Sequence, residues 1–188
     1  YTGNYLGDKK YKGQIILVAP DDLLIDNNNH LENILVVARK VEVADNFQGS
    51  LQIFARDSII LGNHVILNAG SGLYVRGENA ERLIYLGEDC EINGYVYVSK
   101  GAGNSGRPQA NYYQPVSSKV RGMVYVDGMA DLHGIVPGSV YVRYSYYFAP
   151  EGYYSGILYH LSVLESSVVS YPFLLEGPYR RKEVKWLD

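Results

Sequence analysis

Of the four histidines in the 188-residue chain, His64 and His133 stand where chemistry is easiest to imagine. An imidazole changes charge near neutral pH, so either could act as a general base on a substrate held against it. His64 sits in Leu61-Gly62-Asn63-His64-Val65 and His133 in Asp131-Leu132-His133-Gly134. His30 and His160 have no partner suggested by spacing. There is no Ser-His-Asp grouping, P-loop, dinucleotide fingerprint or Cys-x-x-Cys pair. The plainer reading makes His64 a solvated turn residue and His133 the end of a strand, with no catalytic residue in the chain.

Carboxylates form a second constellation. Asp26, Asp45, Glu88 and Asp89 fall in one recurring polar column with Asn28, Asn46, Asn63 and His64. Stacked acids can hold calcium, but here they alternate with Asn and His, and no Asp-x-Asp-x-Asp loop is present. An Asn/Asp ladder that holds tight turns is expected, without metal or cofactor.

Tyrosine is the most unusual residue, with nineteen in the chain. The motif Gly-x-Val-Tyr-Val occurs at 94–98, 122–126 and 138–142. Side chains alternate along a strand, so if Val96 and Val98 point inward then Tyr95 and Tyr97 point outward, as do Tyr125 and Tyr141. These four are the candidate ligand or partner face, either a carbohydrate platform or a protein contact. The structural alternative, cross-strand stabilisation of a solvated face or contact with a terminal cap, is preferred.

The elements that must position these residues come from a repeat. Ile59-Ile60-Leu61-Gly62-Asn63-His64-Val65 matches Val41-Glu42-Val43-Ala44-Asp45-Asn46-Phe47 at a spacing of 18, and Leu23 to Asn29 precedes that by 18 again. Ile84-Tyr85-Leu86-Gly87-Glu88-Asp89-Cys90 fits the same template at a wider spacing of 25. A second column, Ala19, Ala38 and Ala55, has spacings of 19 and 17. Strand, polar corner and strand at fixed intervals predict an all-β, single-stranded parallel β-helix with coils of about 18 residues. Equivalent residues would then pile up at the ~4.8 Å strand spacing, with Val43, Leu61 and Leu86 in one internal column.

This pattern divides the chain into a lead-in over 1–13, a β-helix over 14–144 and a C-terminal cap over 145–188. Insertions are expected near 76–82 and over 100–118, the latter rich in Gly, Asn, Pro and Gln. The cap, with Phe173 and Trp186 as plugs, would cover an open end that otherwise exposes apolar core and strand edges.

Composition bounds the function. Hydrophobic residues make up 47% and charged residues 20%, which favours a folded chain. A net charge of -3 argues against general nucleic-acid binding. Cys90 is the only cysteine, so no intrachain disulfide forms, and it is expected to be a small buried hydrophobe. No apolar run approaches the ~20 residues of a membrane span. The chain opens at Tyr1 without Met, as a mature fragment would after removal of a targeting segment.

The stretch from Val120 to Val142, which holds two Gly-x-Val-Tyr-Val motifs, resembles the bactofilins. The match is good over that stretch and weaker from 34 to 98. The whole chain also resembles a group of Bacteroidetes envelope proteins with a similar repeat and a C-terminal Lys/Trp ending. The first resemblance implies a polymer-forming scaffold built as a single β-helix, though the tail and insertions depart from the short polar ends of bactofilins. Leu61 to Gly72 and Leu86 to Ile92 also resemble the hexapeptide repeat of left-handed β-helix acyltransferases, which would make His64 the base. The expected function is a non-enzymatic scaffold or protein-interaction module of the bacterial cell envelope, on its periplasmic or surface side, with protein partners or self-association. The alternatives are a carbohydrate-binding or polysaccharide-processing β-helix, a hexapeptide acyltransferase and, for location, the cytoplasm.

Overall fold

A computed structural model describes residues 4–76, 82–99 and 110–165. Within them lie fourteen strands and no helix, so no helix there is long and apolar enough to cross a membrane. In chain order the strands begin β1 Tyr5–Leu6, β2 Lys10–Val18, β3 Asp22–Ile25, β4 His30–Val43, β5 Gln48–Gly49, β6 Leu51–Leu61 and β7 Ile66–Val75. They continue with β8 Leu83–Leu86, β9 Glu91–Val98, β10 Tyr112–Gln114, β11 Lys119–Leu132, β12 Gly134–Ala149, β13 Gly152–Ser155 and β14 Leu161–Leu164. The fold is all-β.

Pairing is parallel everywhere except in the β12–β13 hairpin. Parallel neighbours need a long connection, and here that connection is the rest of a repeat. β4 lies on β6 with Val41 opposite Ile59 and Val43 opposite Leu61. β6 lies on β8 with Ile59 opposite Ile84 and Leu61 opposite Leu86. The sequence spacings of 18 and 25 are therefore the offsets of the ladder. Long strands take different partners at their two ends. β6 pairs with β7 over Gln52–Ala55 and with β8 over Ser58–Leu61, and β11 pairs first with β9 and then with β10. Pairing consequently closes through six parallel strands, β6, β8, β10, β11, β9 and β7, with the other strands outside this ring.

The core follows the register. Ile25, Val43, Leu61, Leu86, Gln114 and Leu132 occupy one buried column. Leu23, Val41, Ile59, Ile84, Tyr112 and Ala130 form the next. On another side stand Val36, Ile53, Leu73, Val96 and Val124. Each buried aliphatic chain stabilises the fold by ~1.5–3 kcal/mol. In the second column the large Tyr112 ring lies on the small Ala130, so volume is conserved across the pair. The Tyr112 hydroxyl donates to Gln114 Oε1 at 2.7 Å, and Gln114 Nε2 donates to the Ser118 carbonyl at 3.2 Å.

The motif glycines have a local cause. Gly122 and Gly138 adopt φ of +148° and +150°, and a Cβ there would stand 2.1 Å from the Gly94 carbonyl oxygen and 1.7 Å from that of Gly122. Successive strands approach too closely at this bend for any side chain.

Three expected boundaries are corrected. The 100–118 insertion ends earlier, because Tyr112–Gln114 is strand β10 between β8 and β11. Its polar composition suggested a loop, but Tyr112 and Gln114 are buried and satisfy each other. The lead-in over 1–13 is already paired, since β1 lies on β3 and Lys10–Lys12 lie on His30–Glu32, with Leu6 as its buried anchor. The parallel ladder also continues beyond Tyr144, because β14 pairs with Gly134–Pro137. The tips of both insertions (77–81 and 100–109), Phe173 and Trp186 lie outside the described residues.

Candidate functional site

Three of the four candidate tyrosines share one outward column. Register runs Val18, Val37, Phe54, Tyr74, Tyr97, Tyr125, Tyr141. Tyr95 stands one column away, aligned with Gly72 and Met123. Phe54 and Tyr74 complete the ladder and were missed. Tyr74 lies in Ser71-Gly72-Leu73-Tyr74-Val75, where Ser71 and Leu73 take the places of the motif's glycine and first valine.

Ring geometry decides what this face can do. Phe54 stacks on Tyr74 with centroids 4.5 Å apart and planes 9° apart, and Tyr97 stacks on Tyr125 at 5.0 Å and 9°. Tyr74–Tyr97 and Tyr125–Tyr141 are tilted, at 6.4 and 6.5 Å. A sugar ring packs on an open aromatic face, but in the stacked pairs the faces are turned to each other. The ladder therefore joins adjacent strands. A separate pair, Tyr85 on Tyr113 at 4.8 Å, does the same on a second side.

His64 sits in the polar corner after Leu61. Asn46, His64 and Asp89 hold left-handed backbone at φ of 63°, 57° and 55°, a conformation that Asn, Asp and His adopt more readily than other side chains. Successive corners are laced together. The Asn63 N–H donates to Asp45 Oδ1 at 2.8 Å, the Glu88 N–H to Asn63 Oδ1 at 2.9 Å, and the Asp89 N–H to Ser117 Oγ at 2.9 Å. This is the expected ladder of turn residues. His64 itself is exposed, with Nδ1 3.5 Å from Asp89 Oδ2. Behind the corner Cys90 is buried, its thiol pushed up by burial and so protonated.

His133 is in different surroundings. Its side chain is 9% exposed and that of Asp131 is 6%. Nε2 lies 2.8 Å from Asp131 Oδ1, and Nδ1 lies 2.5 Å from the Tyr159 carbonyl oxygen. The Tyr147 ring meets the imidazole edge-on at 5.8 Å. Burial pushes the Asp131 carboxyl up from the usual carboxylate range, and the neighbouring His133 draws it back. The pair borders an open cleft of about 440 Å³, shared with Glu88, Tyr113, Phe148 and His160. With both ring nitrogens engaged, His133 has no free nitrogen for a bound substrate. Among the described residues no three His, Cys, Asp or Glu side chains converge on a metal position.

Several charges elsewhere are paired across the surface. Arg39 bridges Asp22 at 2.6 Å and Asp57 at 3.3 Å, and Arg121 meets Glu91 at 3.0 Å, which holds the Glu91 carboxyl below its usual range. Such exposed pairs contribute little stability. No protein-family model, curated protein or solved structure matches the chain.

Proposed function

We propose that the chain winds as a single-stranded parallel β-helix with a C-terminal cap, and serves as a bactofilin-like, non-enzymatic scaffold or protein-interaction module of the bacterial cell envelope. Its coils would be about 18 residues long, the interval at which solenoid units recur here. The observation that carries this reading is the buried column Val43–Leu61–Leu86, in which each member comes from the next repeat. A column built this way makes every coil depend on its neighbours, as in solenoids. The six-strand ring fits the same reading, since it closes only because β6 and β11 each pass from one side to the next. The interlocked aromatic ladder and the occupied nitrogens of His133 favour a structural part over an enzymatic one.

One observation favours the acyltransferase alternative, namely the exposed His64–Asp89 pair, in which a carboxylate stands beside a would-be base. Sedimentation velocity and electron microscopy over a range of concentrations, with glycan-retention and acyl-CoA binding assays, separate the readings. Ordered assemblies that bind neither ligand are expected. A monomer that retains a polysaccharide, with retention lost in Tyr125→Ala or Tyr141→Ala, would replace the scaffold with a glycan-binding module. A compact trimer that binds acyl-CoA, with binding lost in His64→Ala, would replace it with an acyltransferase.

A further inference from the structure

We propose that Asp131 and His133 form a proton-dependent latch, which pins the segment from Ile157 to Leu164 against the end of the parallel ladder and releases it when the pair loses its proton. The argument begins with donors and acceptors. Nδ1 of His133 faces the Tyr159 carbonyl, which can only accept, so Nδ1 carries a hydrogen. Nε2 faces the Asp131 carboxylate, and that contact needs a further proton on one side or the other. Either the imidazole is charged or the carboxyl is protonated. In both cases one proton belongs to the pair. Without it, the Nε2 lone pair is held 2.8 Å from a carboxylate oxygen inside the protein.

Besides His133, the Asp131 carboxylate accepts from the Phe148 backbone N–H, and among the described residues no cationic side chain faces the pair. The titratable groups facing it are Glu88 from the corner after β8, Tyr113 of β10, Tyr147 of β12, and Tyr159 and His160 ahead of β14. No Lys or Arg lines the cleft, and Glu88 adds negative charge. A pair that binds its proton more tightly folded than unfolded stabilises the fold at low pH, and that contribution is lost as pH rises through its folded titration. The latch is closed on the acid side and opens on the alkaline side.

The element it holds depends on it. The β12–β13 hairpin and the Gly156 N–H, which donates to the Ser145 carbonyl at 2.8 Å, hold the chain up to Gly156. Beyond it, besides the His133–Tyr159 contact, the segment is tied by the Tyr159 ring against Tyr147 at 4.8 Å, by the Gly134 N–H donating to the His160 carbonyl at 2.8 Å and by the short β12–β14 ladder. Of β14 only Leu161 packs against the core, and Ser162, Val163 and Leu164 are exposed. So little apolar burial puts this element at the low-stability end of the molecule, where one buried hydrogen bond matters.

Amide hydrogen exchange followed by NMR from about pH 5 to about pH 9, corrected for intrinsic exchange, tests the latch across the range in which histidines titrate. Protection of the Gly134 and β14 amides should fall by roughly ten- to a hundredfold as pH rises, the effect of losing one charge-assisted hydrogen bond, while the Val96 and Val124 amides stay protected. In Asp131→Asn the side-chain amide can donate to Nε2 of a neutral ring whose Nδ1–H still reaches Tyr159. Protection there should be pH-independent. Should that variant fold poorly, the His133 ring nitrogen shifts of the native protein give a second readout, since they report the loss of the pair's proton from either site, and their transition must coincide with loss of protection. The latch is refuted by pH dependence in Asp131→Asn equal to that of the native chain. It is equally refuted by His133 ring shifts that pass through their transition while β14 protection holds.

Discussion

The same corner of the stack is built in two ways, and each contains a histidine. Between Leu61 and Ile66 it has four residues, Gly62 to Val65, whereas between Leu132 and Ile135 it has two, His133 and Gly134. The long corner bulges into solvent, so His64 is a turn residue with one distant carboxylate beside it. The short corner leaves no bulge, and its histidine is drawn against Asp131 and roofed by Tyr159. Two missing residues thus convert an exposed imidazole into a buried, fully bonded one. They also account for the spacing of 16 rather than 18 between Gly122 and Gly138.

Substitutions at and beside the two corners can break or sharpen this contrast. The largest effect is expected where both corners depend on the shared column. Leu61→Asp places a charge at a fully buried position, and circular dichroism should show an unfolded chain at room temperature. His133→Ala comes next, because it leaves the Asp131 carboxyl buried without its partner. A loss of about 3 kcal/mol is expected in urea titration, and a loss under about 1 kcal/mol would place that carboxyl in water. Ser118→Ala removes a buried hydroxyl that accepts from the Cys90 N–H at 2.9 Å and donates to the Gly87 carbonyl at 2.8 Å. It should cost ~1–2 kcal/mol by the same titration. Asn63→Ser loosens only the exposed lacing of the long corner, and a melting temperature within a few degrees of the native value is expected. His64→Ala should be the mildest, within ~0.5 kcal/mol in chemical denaturation. If His64→Ala proved as costly as His133→Ala, the two corners would be equivalent and the comparison would fail.

Much of the interior was legible because a strand of period two, repeated at a fixed interval, leaves apolar residues in alignable columns. The Val43, Leu61 and Leu86 column and the tyrosines at 97, 125 and 141 came from that arithmetic. Strand β10 did not, because Tyr112 and Gln114 satisfy each other inside and look like loop residues outside that context. Tyr95 belongs to the candidate face by alternation, which gives its outward direction but not its column. Which neighbour an outward residue meets depends on register.

By itself, the sequence determined the repeat, its interval of 18, the all-β class and the residues that point inward, since all of these follow from local alternation and spacing. The tertiary structure alone decided which rings face each other, where the shorter interval of 16 lost its two residues, and which histidine is engaged. Those outcomes depend on atoms far apart along the chain, such as His133 and the carbonyl of Tyr159, and only the folded chain brings them within a hydrogen bond.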